Sequence, residues 1–307
     1  MCHRPQWEAV VAAASGATFL HSRQFLEYHG DRFADLSLMV QIGDRTVGVF
    51  PIARDRENPS IAVSHPGATY GSLVHTGELV GTRMIDALTR SLEQLRNAGC
   101  SQLVIKPVPS IYHRVPAEDD RYALFRLGAE RSRCDLSCTI DLQHRLPPSS
   151  RRQRGLRRAL RTLSVCDNRA LLPAFWEVLT QNLARRHETR PVHSLGEMQM
   201  LFDRLGSQIR LTVAQHDDRI VAGVIVFVSS RVHHAQYIAA DPDGFSMNAL
   251  DAVFDHCIRV ATGEGIRFFD FGISTEQQGR YLNEGLYAFK SEFGGGGTIA
   301  EQYRVVF

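Results

Sequence analysis

Lysine is nearly missing from this chain: of 35 basic side chains only Lys106 and Lys290 are lysines, the rest being arginine. The bias reflects genome composition first, yet it singles out two compact point charges with a tunable pKa. No apolar run reaches the ~20 residues that a membrane-spanning helix needs. The apolar stretch 9–17 resembles a short signal-peptide core, but Glu8 interrupts its flank and a helix-then-loop pattern follows to His21-Ser22, so it reads as a surface helix. The cysteines Cys2, Cys100, Cys134, Cys138, Cys166 and Cys257 lack metal-ligand spacing, and the thirteen histidines contain no HExxH pattern. A structural zinc site and a zinc hydrolase are therefore not expected, and free thiols fit a reducing, cytoplasmic location. The net charge of +2 excludes a protein that is basic all over.

What is present is an ordinary globular composition, 44% apolar and 22% charged, over 307 residues, enough for two domains. The same order of elements occurs twice. Residues 35–42 and 46–53 form a hairpin around Gly43-Asp44, and residues 208–215 and 220–228 form one around Asp217-Asp218. Each is followed by a strand (61–73 with breaks; 232–240), then a long amphipathic helix (78–97; 246–262) ending near glycine. A short strand (102–106; 267–271), a helix (117–127; 278–293) and a closing strand (133–142; 298–307) complete each copy. The expected class is α/β with mixed central sheets and internal duplication. The run Pro147-Pro148-Ser149-Ser150 breaks the chain before a new N-cap, so the expected domains are 1–147 and 148–307.

Several blocks carry more than pattern. In the first copy they are His21-Ser22, residues 64–71 (SHPGATYG) and 106–114 (KPVPSIYHR). In the second they are Arg186-His187, residues 191–194 (PVHS), 234–237 (HAQY), 270–276 (DFGISTE) and 282–294, which contains Phe289-Lys290. Together with the element order they resemble the GNAT acyltransferases, in the doubled form of the Fem-type (FemABX) aminoacyl transferases and of GNAT-like proteins of bacterial polysaccharide biosynthesis. The resemblance implies two GNAT-like halves, N-acylation without a metal, and a lysine at the Phe-Lys block that stabilises charge at the transferred acyl group. The acceptor implied is an amine of an amino sugar or sugar nucleotide. The donor is acyl-CoA (acetyl-CoA), or aminoacyl-tRNA as the alternative, which would deliver an amino acid to a cell-wall or peptide amine. A non-catalytic binding protein is the third reading. One departure stands out. Ordinary GNAT enzymes hold the coenzyme A pyrophosphate on a glycine-rich loop opening the central helix, but residues 241–249 (DPDGFSMNA) offer one glycine and two carboxylates, which repel a pyrophosphate.

In that frame Lys290 is the oxyanion stabiliser. Asp270, Glu276 or His234 handles the proton of the incoming amine. Strand alternation puts His234 and Gln236 on one face and Tyr237 on the other. Phe289, Asn283, Tyr281, Gln236 and Tyr237 are candidate substrate contacts. So are Arg186, His187 and His193, which follow an amphipathic helix, and Tyr70 and Lys106 from the first half. The run 151–161 carries six arginines over an apolar stripe, so it is a helix. Arg151, Arg152, Arg154, Arg157 and Arg158 are its candidate phosphate or polyanion contacts, because positive charge in a first turn opposes the helix dipole.

Overall fold

The computed structural model describes residues 3–187 and 189–307, without the side chains of Arg186 and His187. Its helices, in chain order, are α1 (Arg4–Ala13), α2 (Arg23–Leu26), α3 (Thr82–Asn97), α4 (Asp119–Arg126), α5 (Ser150–Ala159), α6 (Leu172–His187), α7 (Leu195–Leu205), α8 (Pro242–Ser246), α9 (Ala249–Gly263) and α10 (Glu284–Ser291). The strands begin with β1 (Leu38–Ile42), β2 (Arg45–Phe50), β3 (Ala53–Arg54), β4 (Ile61–Val63), β5 (Val74–His75), β6 (Gln102–Ile105) and β7 (Glu130–Asp141). They continue with β8 (Ser164–Asp167), β9 (Ile209–His216), β10 (Arg219–Val228), β11 (Val232–Ala240), β12 (Phe268–Ile273), β13 (Thr275–Glu276), β14 (Tyr281–Leu282) and β15 (Gly296–Val306).

The chain divides into two compact units. The first holds residues 1–136, 275–281 and 299–307, and the second holds 137–274 and 282–298. The division thus falls inside β7 rather than at Pro147-Pro148, and short C-terminal segments return to the first unit. Strand β7 runs unbroken through that division, and only its second half, with Cys138 and Ile140, enters the core around Phe254.

In the first unit β1 and β2 form the expected hairpin, but they pair with β5 in a small antiparallel sheet and do not join β3, β4, β6 and β15. Segment 61–73 is a strand only at its start. His65 turns it at φ 51, and the chain loops until β5. Beneath lies a core in which α3 buries Met84, Leu88, Leu92 and Leu95, spaced three and four apart, against Phe50, Ile52, Leu103 and Ile105.

In the second unit the strand order is β7-β12-β11-β10-β9-β8, with β11 and β12 parallel and the other pairs antiparallel. One core cluster joins Phe254 of α9 to Cys138, Ile140, Ala235, Phe269 and Phe271 on the sheet and to Phe293 after α10. The Phe254 ring meets Phe271 at 4.8 Å and Phe293 at 5.3 Å, both edge to face. Helix α6 packs on β10 and β11, and its Phe175 fills the space that a side chain on Gly223 would need. Helix α10 is shorter than the sequence suggests. Gln277 and Gln278 both take left-handed backbone, at φ 50 and 57, which no right-handed helix admits, and it starts only at Glu284, behind the N-cap Asn283, whose side chain accepts from Leu286 N at 3.0 Å.

Candidate active site

The chemistry-bearing residues of the second unit gather at the C-terminal end of β12. Register places His234 of β11 beside Asp270 of β12, and Asp270 opposite Thr139 of β7. The His234 ring donates from Nδ1 to Asp270 Oδ2 at 2.7 Å. The other carboxylate oxygen accepts from Ser137 Oγ, from Thr139 Oγ1 at 2.9 Å and from Gly272 N at 3.3 Å. Burial alone would push the Asp270 carboxyl up, but the bond and charge of His234 and the hydroxyls of Ser137 and Thr139 outweigh it and hold the group below the usual carboxylate range. Asp270 therefore stays anionic and fixes the proton of His234 on Nδ1, which leaves Nε2 as the basic nitrogen. The His234 side chain keeps 16% of its surface, whereas Asp270 keeps 7%. Gly272, at φ +77, lies against the ring: an added Cβ would sit 3.4 Å from His234 Cε1.

Lys290 reaches the same strand end from α10. Lys290 is 3% exposed, and its ammonium donates to Gly272 O at 2.9 Å and Ile273 O at 2.6 Å. Burial lowers its pKa to about 8, against the opposing pull of Asp270. Burial likewise pushes the neighbouring Cys138 thiol up to about 12, so this cysteine is no nucleophile. The two groups approach from opposite faces. Phe269, Phe271, Cys138 and Ile140 turn toward α9, so Asp270, Ser137 and Thr139 turn away from it. Helix α10 packs on the α9 side, through Phe289 and Phe293 on Phe254.

The sequence placed His234 and Gln236 together, and the structure corrects this. Strand β11 bulges at Gln236: Ile225 pairs with Tyr237 and Val226 with Ala235, leaving Gln236 as the extra residue. The inserted residue reverses the alternation beyond it. Tyr237, not Gln236, thus shares the face of His234, where it meets Trp176 of α6 at 5.5 Å and the His193 Nδ1 at 2.6 Å. Burial raises the Tyr237 hydroxyl to about 12, so it remains protonated. Among the described residues Gln236 Oε1 is buried without a hydrogen-bond partner.

Other candidates fall elsewhere. Glu276 and Tyr281 are exposed and belong to the first unit. Lys106 is buried in the first unit, donating to His65 O at 2.8 Å and to Ala68 O, and burial lowers its pKa to about 7. It repeats the bonding of Lys290, since each lysine ties down two backbone carbonyls. Tyr70 is 5% exposed and donates to Thr18 Oγ1 at 3.1 Å. The side chains of Arg186 and His187 lie outside the described residues. Phe289 is a packing residue, stacked under the Arg152 guanidinium at 4.7 Å. Arg152 is not available to an outside polyanion. It is 7% exposed and ion-paired with Asp251 of α9 and, at 2.8 Å, with Glu292. Arg151, Arg154, Arg157 and Arg158 are exposed. Ser137 and Thr139 were missed. Their signal was present in the alternation of Asp135, Ser137, Thr139 and Asp141 with Leu136, Cys138 and Ile140, a polar row beside an apolar one.

The turn that would cradle a pyrophosphate is filled from within. It forms the five-residue helix α8, capped by Asp241, whose Oδ1 accepts from Gly244 N at 2.7 Å. Arg219 pairs with both Asp241 and Asp243. Gly244 serves packing, since a Cβ there would lie 2.2 Å from Val221 O. Among the described residues no group of histidine, cysteine and carboxylate side chains could hold a metal, and no helix is long and apolar enough to cross a membrane.

No curated protein sequence matches the chain. The chain superposes on FemX with a TM-score of 0.72 at 13% identity, covering 99% of this chain and 96% of that one. It superposes on the C-terminal domain of a putative lysylphosphatidylglycerol synthetase from Agrobacterium fabrum with a TM-score of 0.65 at 14% identity, over 98% and 90%. A tandem GNAT protein from the clavulanic acid biosynthesis pathway gives 0.55 at 15% identity, over 99% and 94%. Residues 149–290, which carry His234, Asp270 and Lys290, match the acetyltransferase (GNAT) domain family, and the chain as a whole has the duplicated α/β fold of FemX and tandem GNAT proteins.

Proposed function

We propose that the second unit transfers an acyl group from a carrier to the amine of an amino sugar or sugar nucleotide, in surface polysaccharide assembly, with His234 as the base. The observation that carries this reading is the bond from His234 Nδ1 to a buried, anionic Asp270. It makes Nε2 the acceptor for a proton leaving the attacking amine. The amine nitrogen bonds to the acyl carbon, its proton passes to Nε2, and the tetrahedral intermediate expels the carrier oxygen or sulfur, which takes a proton up. Lys290 spends two of its three N–H groups on carbonyls and keeps the third for the acyl oxygen.

A second reading rests on the capped α8 turn. An acyl-CoA held by its pyrophosphate would have to displace the Asp241 carboxylate from Gly244 N. A carrier gripped elsewhere, aminoacyl-tRNA among them, meets no such obstacle, and the FemX and lysylphosphatidylglycerol synthetase folds are compatible with it. Acyl transfer from acetyl-CoA and from aminoacyl-tRNA to glucosamine and to a UDP-linked amino sugar, assayed side by side with His234→Gln, tests both. Loss of ~10²–10⁴-fold in kcat/KM in the variant supports the reading. Equal turnover by both proteins would remove it.

A further inference from the structure

We propose that the outward face of α4 is a self-association surface, on which a second copy of this chain docks its own α4 antiparallel. The proposal concerns the first unit and is independent of the chemistry assigned to the second.

Helix α4 has only eight residues, yet it carries apolar side chains on two faces. Inward, Ala123 and Leu124 belong to the core that α3 builds, with Leu127 packed against it. Outward, Phe125 keeps 75% of its surface and Tyr122 keeps 52%, and Val115, just ahead of the helix, keeps 57%. At 100° per residue Glu118, Tyr122, Phe125 and Arg126 fall within about a third of the circumference, opposite the buried Asp120 and Leu124. The exposed row therefore reads acid, aromatic, aromatic, base. Both ends hold charge that the fold leaves largely unspent. Among the described residues Arg126 forms no ion pair. Its guanidinium lies 6.0 Å from the centre of the Tyr122 ring, and its Nη1 donates to Tyr122 Oη at 3.4 Å. Glu118 accepts from Arg121 through Oε1 alone, at 2.5 Å, and Arg121 already holds the buried Glu301 at 3.2 Å.

This pattern selects the occupant. An apolar centre with a charged rim is the anatomy of a contact between proteins. A nucleic acid or an anionic membrane calls for a row that is basic throughout, and Glu118 stands in this one. A second copy fits because the row is complementary to its own reverse. Two α4 helices laid antiparallel, with the two-fold axis at Tyr122, bring the two Tyr122 rings together. Glu118 and Arg126 are each four residues from Tyr122, about 6 Å along the helix on either side. Each Glu118 thus comes level with Arg126 of the other copy, and each Phe125 comes level with the turn between Tyr122 and Glu118 opposite it. Such a contact is closed, since two copies use up the surface and no longer array grows from it. One pair of short helices falls below the size of a standard interface, so the dimer is a weak one that forms at micromolar concentration.

The test is sedimentation velocity on the intact protein, from about 2 to about 200 µM in low salt. The natural protein is expected to pass reversibly from monomer to dimer across that range. Its dissociation constant should be on the order of 10–100 µM and should rise as salt screens the charged ends. Phe125→Ser should raise the constant at least ~10-fold. Glu118→Arg and Arg126→Glu each set like charges against each other at both ends, and each should weaken self-association ~10-fold or more. Mixed in equal amounts, these two variants should dimerise as well as the natural protein, because each then meets the opposite charge at both ends. Recovery on mixing also shows that both variants are folded. A natural protein that stays monomeric at about 200 µM, a dimer that survives Phe125→Ser unchanged, or a mixture that associates no better than its two components would each overturn the proposal.

Discussion

His21 makes the first unit sensitive to acid by an amount that can be worked out. Its side chain has no exposed surface, Nδ1 accepts from Thr18 N at 3.2 Å, and burial lowers its pKa from 6.5 to about 4. The folded state thus binds the proton more weakly than the unfolded chain, so the stability His21 contributes is intact above pH 6.5 and declines as pH falls toward 4. The full loss is about 3 kcal/mol, of which about 2 kcal/mol has gone by pH 5. His65, lowered by burial and by His29 to about 3, acts in the same direction in the same unit. The assay is urea unfolding at pH 7.5 and 5.0 in a Trp176→Phe background, where Trp7, 2% exposed and bonded through Nε1 to His21 O at 2.7 Å, reports the first unit alone. His21→Asn keeps an acceptor for Thr18 N and removes the titration. It should start less stable, yet lose about 2 kcal/mol less between the two pH values. Identical pH dependence in the two proteins would refute the reasoning.

Three further outcomes follow from packing. Arg152→Ala strands Asp251, 3% exposed, without its cation and should cost about 3–5 kcal/mol in chemical unfolding, part of it recovered by adding Asp251→Asn. Gly244→Ala should cost about 1–3 kcal/mol, because its Cβ would meet the Val221 carbonyl at 2.2 Å and backbone must move. Lys290→Met removes the one ammonium that donates to two carbonyls and should lower unfolding free energy by roughly 2 kcal/mol, a change that Lys290→Arg, too long for the site, does not rescue.

Much of the architecture could be read from residue order, because long periodic segments dominate it. The strand expected at 232–240 is β11 to the residue, and both hairpins formed around their predicted turns. What could not be read depends on single residues. The bulge at Gln236 has no marker in the sequence, yet it changes which side chain stands beside His234. The left-handed pair Gln277-Gln278 sets the start of α10 against the local propensity for helix. The scarcity of lysine did point to two special positions, but the bonds both make go to main-chain carbonyls, which side-chain chemistry alone does not announce. Ser137 and Thr139 sat in a strand read only as a closing element, although their spacing already marked a polar face. In the same way the arginine run was visible at once, while the burial of Arg152 within it was not.

The pairing of His234 with Asp270 is tested most directly by the tautomer of the ring. In ¹⁵N-labelled protein at pH 7.5, long-range ¹H–¹⁵N correlations of His234 should show a protonated Nδ1 and a bare Nε2, and Asp270→Asn, which presents an NH₂ group, should shift the proton to Nε2 while acyl transfer falls ~10²–10⁴-fold. A natural protein that already carries the proton on Nε2, or a variant that transfers acyl groups at the natural rate, would contradict the account.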